Sequence, residues 1–254
     1  GMRTITITSG KGGVGKTTVA CNLAVSLAQL GMRPVLFDAD LQLANVDVAL
    51  GITSPYNLQH VVAGERTLSE ILAPGPAGIK VISGGSAIPA LMSAGPKKLG
   101  LFIDQLVDLA PSHDILIFDT AAGLDSRVIT FMKLSQEIIL VTTPDPTSVT
   151  DAYATIKTAH RRLKNPDIRV IVNQVSGERE GRQVFDVLQS ITHSYLGKNL
   201  SYVGSVRQDF QAAQSIRKRR PVVLSAPNSW SAQDIKDLAR MLRSEATVAN
   251  RWSA

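Results

Sequence analysis

Ten residues, Ser9-Gly10-Lys11-Gly12-Gly13-Val14-Gly15-Lys16-Thr17-Thr18, constrain this chain more than any others. From Gly10 to Thr17 they carry the spacing G-x-x-x-x-G-K-[ST]. The β-branched run Thr4 to Thr8 before them predicts a strand, and the apolar run Val19 to Ala28 after them predicts a helix. A strand that turns through glycines into a helix aims successive backbone N–H groups at one anion. The helix start adds the positive end of its dipole and its unpaired N–H groups. Lys16 can reach the β- and γ-phosphates of a nucleotide, and the Thr17 hydroxyl can hold Mg²⁺. A plain glycine turn is the alternative; the strand–loop–helix context argues against it.

The 254 residues suffice for one large α/β domain with a substantial core, read as residues 2–254. Gly1, ahead of Met2, reads as a remnant of expression. No apolar stretch is long enough to span a bilayer. The first apolar run feeds the glycine loop and so does not read as a signal peptide. Cys21 is the single cysteine, which excludes an intrachain disulfide; within the first helix it reads as a buried structural thiol. A net charge of +6 permits contact with DNA or anionic lipid and establishes neither.

Further along, short apolar runs end in groups that carry chemistry. Pro34 to Phe37 is a buried strand that delivers Asp38 and Asp40 to its carboxyl end, where ligands sit in open α/β sheets. Paired acids there can position the waters of Mg²⁺ and orient an attacking water. Asp114 to Asp119 repeats the pattern, an apolar run that sets one carboxylate beside a magnesium site. Ile168 to Gln174 leads to Asn173, whose amide complements the N6 and N7 edge of adenine; an Asx turn is the alternative. Strands are also expected at 79–82, 137–143 and 201–204, and helices at 97–109, 125–134 and 231–245. The glycine pair in Ser83 to Ser86 reads as a plain loop or a second phosphate-facing loop, and residues 86–96 as a surface segment. His60 reads as a helix-face residue, and Thr147 or Ser148 as the cap of a helix after Pro146. The run Arg217 to Arg220 is either a solvated face or a surface for an anionic partner. It has no interleaved aromatics, which argues against base stacking, so any contact with DNA would be salt-sensitive.

Several of these stretches resemble one family. Lys11 to Thr18, K-G-G-x-G-K-[ST]-T, resembles the deviant Walker A motif of the MinD/ParA ATPases. Asp38 to Asp47 is similar to switch I of the MinD branch, with Gln42 where that branch usually has glycine. Asp119 to Gly123 resembles its switch II. Thr143 to Tyr153 resembles the T-P-E-P-T-S-x-x-D-A-Y stretch of the flagellar-number regulators of that family (FlhG, FleN or YlxH), with Asp145 for the usual Glu, and residues 56–68 look like them too. In the segment that closes over the base, Val206-Arg207 replaces Ile-Pro while Asp209 remains.

The resemblance covers essentially the whole chain. It implies a Rossmann-like P-loop NTPase, a mostly parallel sheet of about seven or eight strands with helices on both faces. It implies ATP and Mg²⁺ as cofactors, with nucleotide contacts from Gly10, Lys11, Gly12, Gly13, Val14, Gly15, Lys16, Thr17 and Thr18. Gly123 would sense the γ-phosphate and Asn173 would read adenine. Thr17, Asp38 and Asp119 would serve the metal. Lys11, Lys16 and Asp40 would be catalytic, with Lys11 crossing a homodimer to the partner's nucleotide and Asp40 orienting water. The implied function is an ATP-dependent dimerisation switch, with hydrolysis, that regulates flagellar number or placement. Partners would be the flagellar GTPase FlhF or flagellar transcription regulators, although the N-terminal extension through which such proteins stimulate FlhF has no counterpart before Arg3. A MinD-like septum ATPase, a ParA-like partition ATPase and a nucleotide-binding scaffold with negligible turnover are the alternatives. The resemblance places the chain in the cytoplasm, with the inner face of the cell membrane as a further site; the tail 246–254 is a weak anchor. Nonspecific DNA is a further candidate partner. Iron–sulfur relatives of the family need several cysteines, which this chain lacks.

Overall fold

A computed structural model describes residues 1–41 and 45–252, with side chains as far as residue 245. The expectations attached to Gln42 and to the side chains of the tail lie outside the described residues.

The apolar runs become strands because helices cover them on both faces, so they need no alternation of polar and apolar residues. Eight strands, among the described residues, form one sheet: β1 (Arg3–Thr8), β2 (Pro34–Ala39), β3 (Ala73–Pro74), β4 (Lys80–Ser83), β5 (Ile115–Thr120), β6 (Glu137–Thr142), β7 (Ile168–Val175) and β8 (Ser201–Arg207). Their order is β3-β4-β2-β5-β1-β6-β7-β8, parallel except for the short edge pair β3–β4. Every residue of β2, β5 and β6 is buried. The chain leaves β1 toward β2 on one side and later returns to β6 on the other. A crevice opens at such a reversal, outside the carboxyl ends of the strands.

Helices occupy both faces as expected: α1 (Lys16–Gln29), α2 (Asn45–Leu50), α3 (Leu58–Val62), α4 (Ile88–Met92), α5 (Pro96–Val107), α6 (Ser126–Lys133), α7 (Pro146–Arg162), α8 (Glu178–Leu196), α9 (Phe210–Arg217), α10 (Val222–Ser225) and α11 (Trp230–Trp252). On one face α1, α2, α10 and α11 pack around Ile5, Ile7, Leu36 and Ile117. On the other, α3 to α6 close over Phe37 and Phe118, with α6 contributing Phe131, while α7 and α8 cover Leu140 and Val170.

Four local expectations need correction. Residues 86–96 are not a bare surface segment: Ile88 and Leu91 lie three apart on α4 and are buried. Asp145, not Thr147 or Ser148, caps α7 by accepting the Thr147 N–H at 2.9 Å; the Ser148 hydroxyl instead accepts the Thr143 N–H at 3.1 Å. The glycine pair at 84–85 serves packing, since the Gly84 N–H donates to the Asp38 carbonyl at 3.0 Å. The last helix runs past residue 245 to Trp252. His60 does lie on a helix, where its Nδ1 accepts the Asn57 N–H at 3.1 Å and helps cap α3.

At the end of the sheet away from the crevice, Glu137 at the start of β6 binds both Arg3 and Arg169. Glu245 on α11 pairs with the same two arginines, and the Arg3 guanidinium also donates to the Leu242 carbonyl at 2.5 Å. Arg3, Glu137 and Arg169 are largely buried, so removing one of them would strand charge in a poorly solvated place. The network fixes the last helix to the first strand and leaves the crevice end free.

Candidate functional site

The site begins where β1 turns into α1. Gly15 holds φ at 82°, and a Cβ there would stand 2.4 Å from the Asn173 amide nitrogen, so neither the turn nor the space admits a side chain. Gly10 is demanded by packing: a Cβ there would meet the Asp151 carbonyl oxygen at 2.3 Å, where α7 closes against the loop.

Lys16 opens α1 and is 7% exposed, and its ammonium forms an ion pair with the fully buried Asp119. The Thr17 hydroxyl donates to the other Asp119 oxygen at 2.9 Å. Sheet register brings these groups together, because Asp119 on β5 lies beside Ile7 on β1 and Asp38 on β2. Burial pushes the Asp119 carboxyl up from its ordinary range, against the pull of Lys16 and Thr17. Asp38 is also fully buried, and its carboxyl is pushed up to about 7, first by desolvation and then by the Asp119 charge.

Asp38 has a structural task. Its two oxygens accept the N–H groups of Asp40 and Val46, each at 3.2 Å, and so tie the end of β2 to the start of α2. Asp40, 8% exposed, stands on the wall of a cavity whose floor is the glycine loop. Asn45 donates to the Asp40 carboxylate at 3.4 Å. The cavity encloses about 480 Å³, within the range of small-molecule sites. Its far wall comes from the end of α9 and from Arg220.

The remaining predicted site residues are engaged elsewhere. The Lys11 ammonium donates to the Thr147 hydroxyl at 2.7 Å and lies 3.9 Å from Asp145, at the start of α7. The Gly123 N–H donates to the Ser9 carbonyl at 2.9 Å. The Asn173 amide donates to the Val14 carbonyl at 2.8 Å. In this single chain the structure therefore gathers Lys16, Thr17, Asp38, Asp40 and Asp119, while Lys11, Gly123 and Asn173 are held by bonds within the chain.

The donor set suits a polyphosphate with a hard cation. The loop offers N–H groups and a lysine, while Thr17 and Asp119 offer oxygens. Mg²⁺ is commonly held by one or two carboxylates together with substrate phosphates and water. No group of three or more His, Cys, Asp or Glu suited to a metal occurs among the described residues.

Residues 2–243 match the ParA family model, described as NUBPL iron-transfer P-loop NTPase. The chain belongs to the ParA family of P-loop NTPases. Within this family it is 38% identical to the antiactivator FleN of Pseudomonas aeruginosa, over 98% of this chain and 89% of that protein. It is 36% identical to the flagellum site-determining protein YlxH of Helicobacter pylori, over 95% and 82% of the two chains. The solved structure of the septum site-determining protein MinD from Pyrococcus horikoshii, complexed with Mg-ADP, superposes with a TM-score of 0.80 at 26% identity, covering 98% of each chain. The eight-stranded, mostly parallel sheet is the fold of these relatives. The iron-transfer part of the family description finds no set of cysteines in this ParA-family chain, whose sole thiol, Cys21, is buried in α1.

Two site residues escaped the sequence reading. Asn22 is 1% exposed; its amide donates to the Thr18 carbonyl at 2.8 Å and accepts the Val223 N–H at 3.1 Å. An asparagine amid the apolar run of α1 was the available signal. Arg220 was visible only as part of a charge run, because nothing local shows which member of the run lines the cavity; its side chain is otherwise exposed.

Proposed function

We propose that this chain is a Mg²⁺-dependent ATP hydrolase whose ATP-bound form is a homodimer, and that the switch between its states sets the number or placement of flagella. The observation that carries the chemistry is the cluster of buried Lys16 and Asp119 with half-buried Thr17 beneath the glycine loop. The likeness to FleN and YlxH carries the biological output.

In this reading Lys16 exchanges Asp119 for the β- and γ-phosphates. Thr17 and Asp119 would hold Mg²⁺, which would supply charge neutralisation on the phosphate oxygens. Asp38 keeps the end of β2 tied to the start of α2 while Asp40 orients the attacking water. The Gly123 N–H turns from Ser9 toward the γ-phosphate, and the Asn173 amide turns from Val14 toward adenine. Lys11 leaves Thr147 and Asp145 to stabilise charge on the partner's nucleotide in a water-poor interface. FlhF or flagellar transcription regulators would receive the output. The chain would act in the cytoplasm and at the inner face of the membrane; no helix among the described residues is long and apolar enough to cross a bilayer.

Two measurements test this. Deleting the gene is expected to change the number or position of flagella per cell; unchanged flagellation refutes the proposed output. Lys11→Ala is expected to weaken ATP-dependent dimerisation by about tenfold or more while leaving ATP affinity within a few-fold, as read by light scattering and by titration. An unaltered ATP dimer in that variant removes Lys11 from the interface.

A further inference from the structure

The run Arg217 to Arg220 is more tightly built than a solvated charge face needs to be. Arg219 is held at φ 50°, a left-handed conformation unusual for a side-chain-bearing residue. Its carbonyl oxygen packs on Gly51, just past the end of α2, where a Cβ would stand only 2.6 Å away. The Arg220 N–H donates to the Ser215 carbonyl at 3.1 Å. Three residues on, the Val223 N–H is tied through the buried Asn22 to the Thr18 carbonyl in the first turn of α1. The turn is thus wedged between the helix that follows the glycine loop and the helix that follows Asp40.

This placement selects one member of the run. Of the four basic residues, Arg220 lines the cavity that also contains Lys16, Thr18, Asp40 and Asn45. A nucleotide brings several negative charges into a cavity whose wall already carries Asp40, with Asp38 and Asp119 buried behind it. A second cation besides Lys16 offsets that repulsion, and a guanidinium can grip phosphate oxygens with two parallel N–H groups.

We propose that Arg220 is a phosphate-binding residue of the nucleotide site, held in place by the strained Arg219 turn and the Asn22 bridge. The inference rests on the reading of the cavity as a nucleotide site and adds to it a contact from the far end of the chain. Arg217 and Lys218 remain solvated.

The test is a titration of ATP and of adenosine against the full chain in Mg²⁺ buffer of fixed ionic strength. It compares the unsubstituted protein with Arg220→Ala, Arg220→Gln, Lys218→Ala and Lys16→Ala. Both Arg220 variants are expected to bind ATP about tenfold or more weakly and adenosine unchanged, with Lys218→Ala within about twofold of the unsubstituted chain. Unfolding temperatures without nucleotide should match; if alanine lowers its own, the glutamine variant decides. ATP binding by the Arg220 variants equal to that of Lys218→Ala overturns the assignment, even if Lys16→Ala abolishes binding. Failure of the unsubstituted chain to bind ATP overturns the nucleotide site and this residue with it.

Discussion

Replacing Lys16 with alanine is expected to weaken ATP binding roughly a hundredfold or more and to destabilise the nucleotide-free protein by about 3 kcal/mol. Both effects follow from one ion pair. Lys16 is 7% exposed and Asp119 is fully buried, so each relies on the other for compensation. Without the ammonium, Asp119 keeps the Thr17 hydroxyl but loses its counter-charge. Its carboxyl, already raised by burial, then rises further. A carboxyl whose folded-state pKa lies above its unfolded value costs stability progressively as pH rises past the unfolded value, in full above the folded value, and the penalty is relieved as pH falls and a proton is taken up. The deficit in urea unfolding should therefore grow as pH is raised and shrink as it is lowered. Loss of binding without any stability change would mean that the pair does not form in solution.

Asp40→Ala is expected to behave differently. Phosphate release should fall by about 10²- to 10⁴-fold, while ATP affinity changes little and the ATP-bound dimer persists. Asp40 stands on the cavity wall with its N–H held by the Asp38 carboxylate, while Lys16 and Asp119 pair with each other. Its loss removes a group suited to orienting water without unmaking the phosphate cradle. Phosphate release and light scattering on the same samples would separate these outcomes. Turnover at background in both the unsubstituted and the substituted chain would defeat the hydrolase reading and leave a binding scaffold.

The parts of the molecule legible in the sequence are those whose chemistry is local. The glycine loop, the strand before it and the helix after it span fewer than about 30 residues, and each carries its own signal. The acids at 38, 40 and 119 could be read as strand ends because buried parallel strands are short apolar runs. Less legible was whatever depends on a distant neighbour. The Asp145 cap outcompetes Thr147 and Ser148 because Ser148 is drawn back onto the β6 exit and Thr147 onto Lys11. Gly84 looked like loop glycine and is instead the surface on which the Asp38 carbonyl rests. Helix α8 did have a local signal, with Val184, Phe185 and Leu188 on one face and the left-handed Gly197 as its stop. Arg220 had none, since its place at the rim of the cavity depends on α1, α2 and α9 together.

The position of β1 in the sheet has a consequence for how the protein is made. Its six residues emerge first, yet both neighbours come late: β5 begins at residue 115 and β6 at residue 137. The Arg3 contact with Leu242 spans 239 positions. Contacts so distant along the chain close slowly, since loop entropy must be overcome before they form. During synthesis the glycine loop is therefore an unsupported segment until more than half of the chain exists, and the clamp on its strand is set only when α11 arrives. On the nucleotide-site reading proposed above, ATP would stabilise this fold only after β5 and β6 have joined β1, and not as a template for the glycine loop alone.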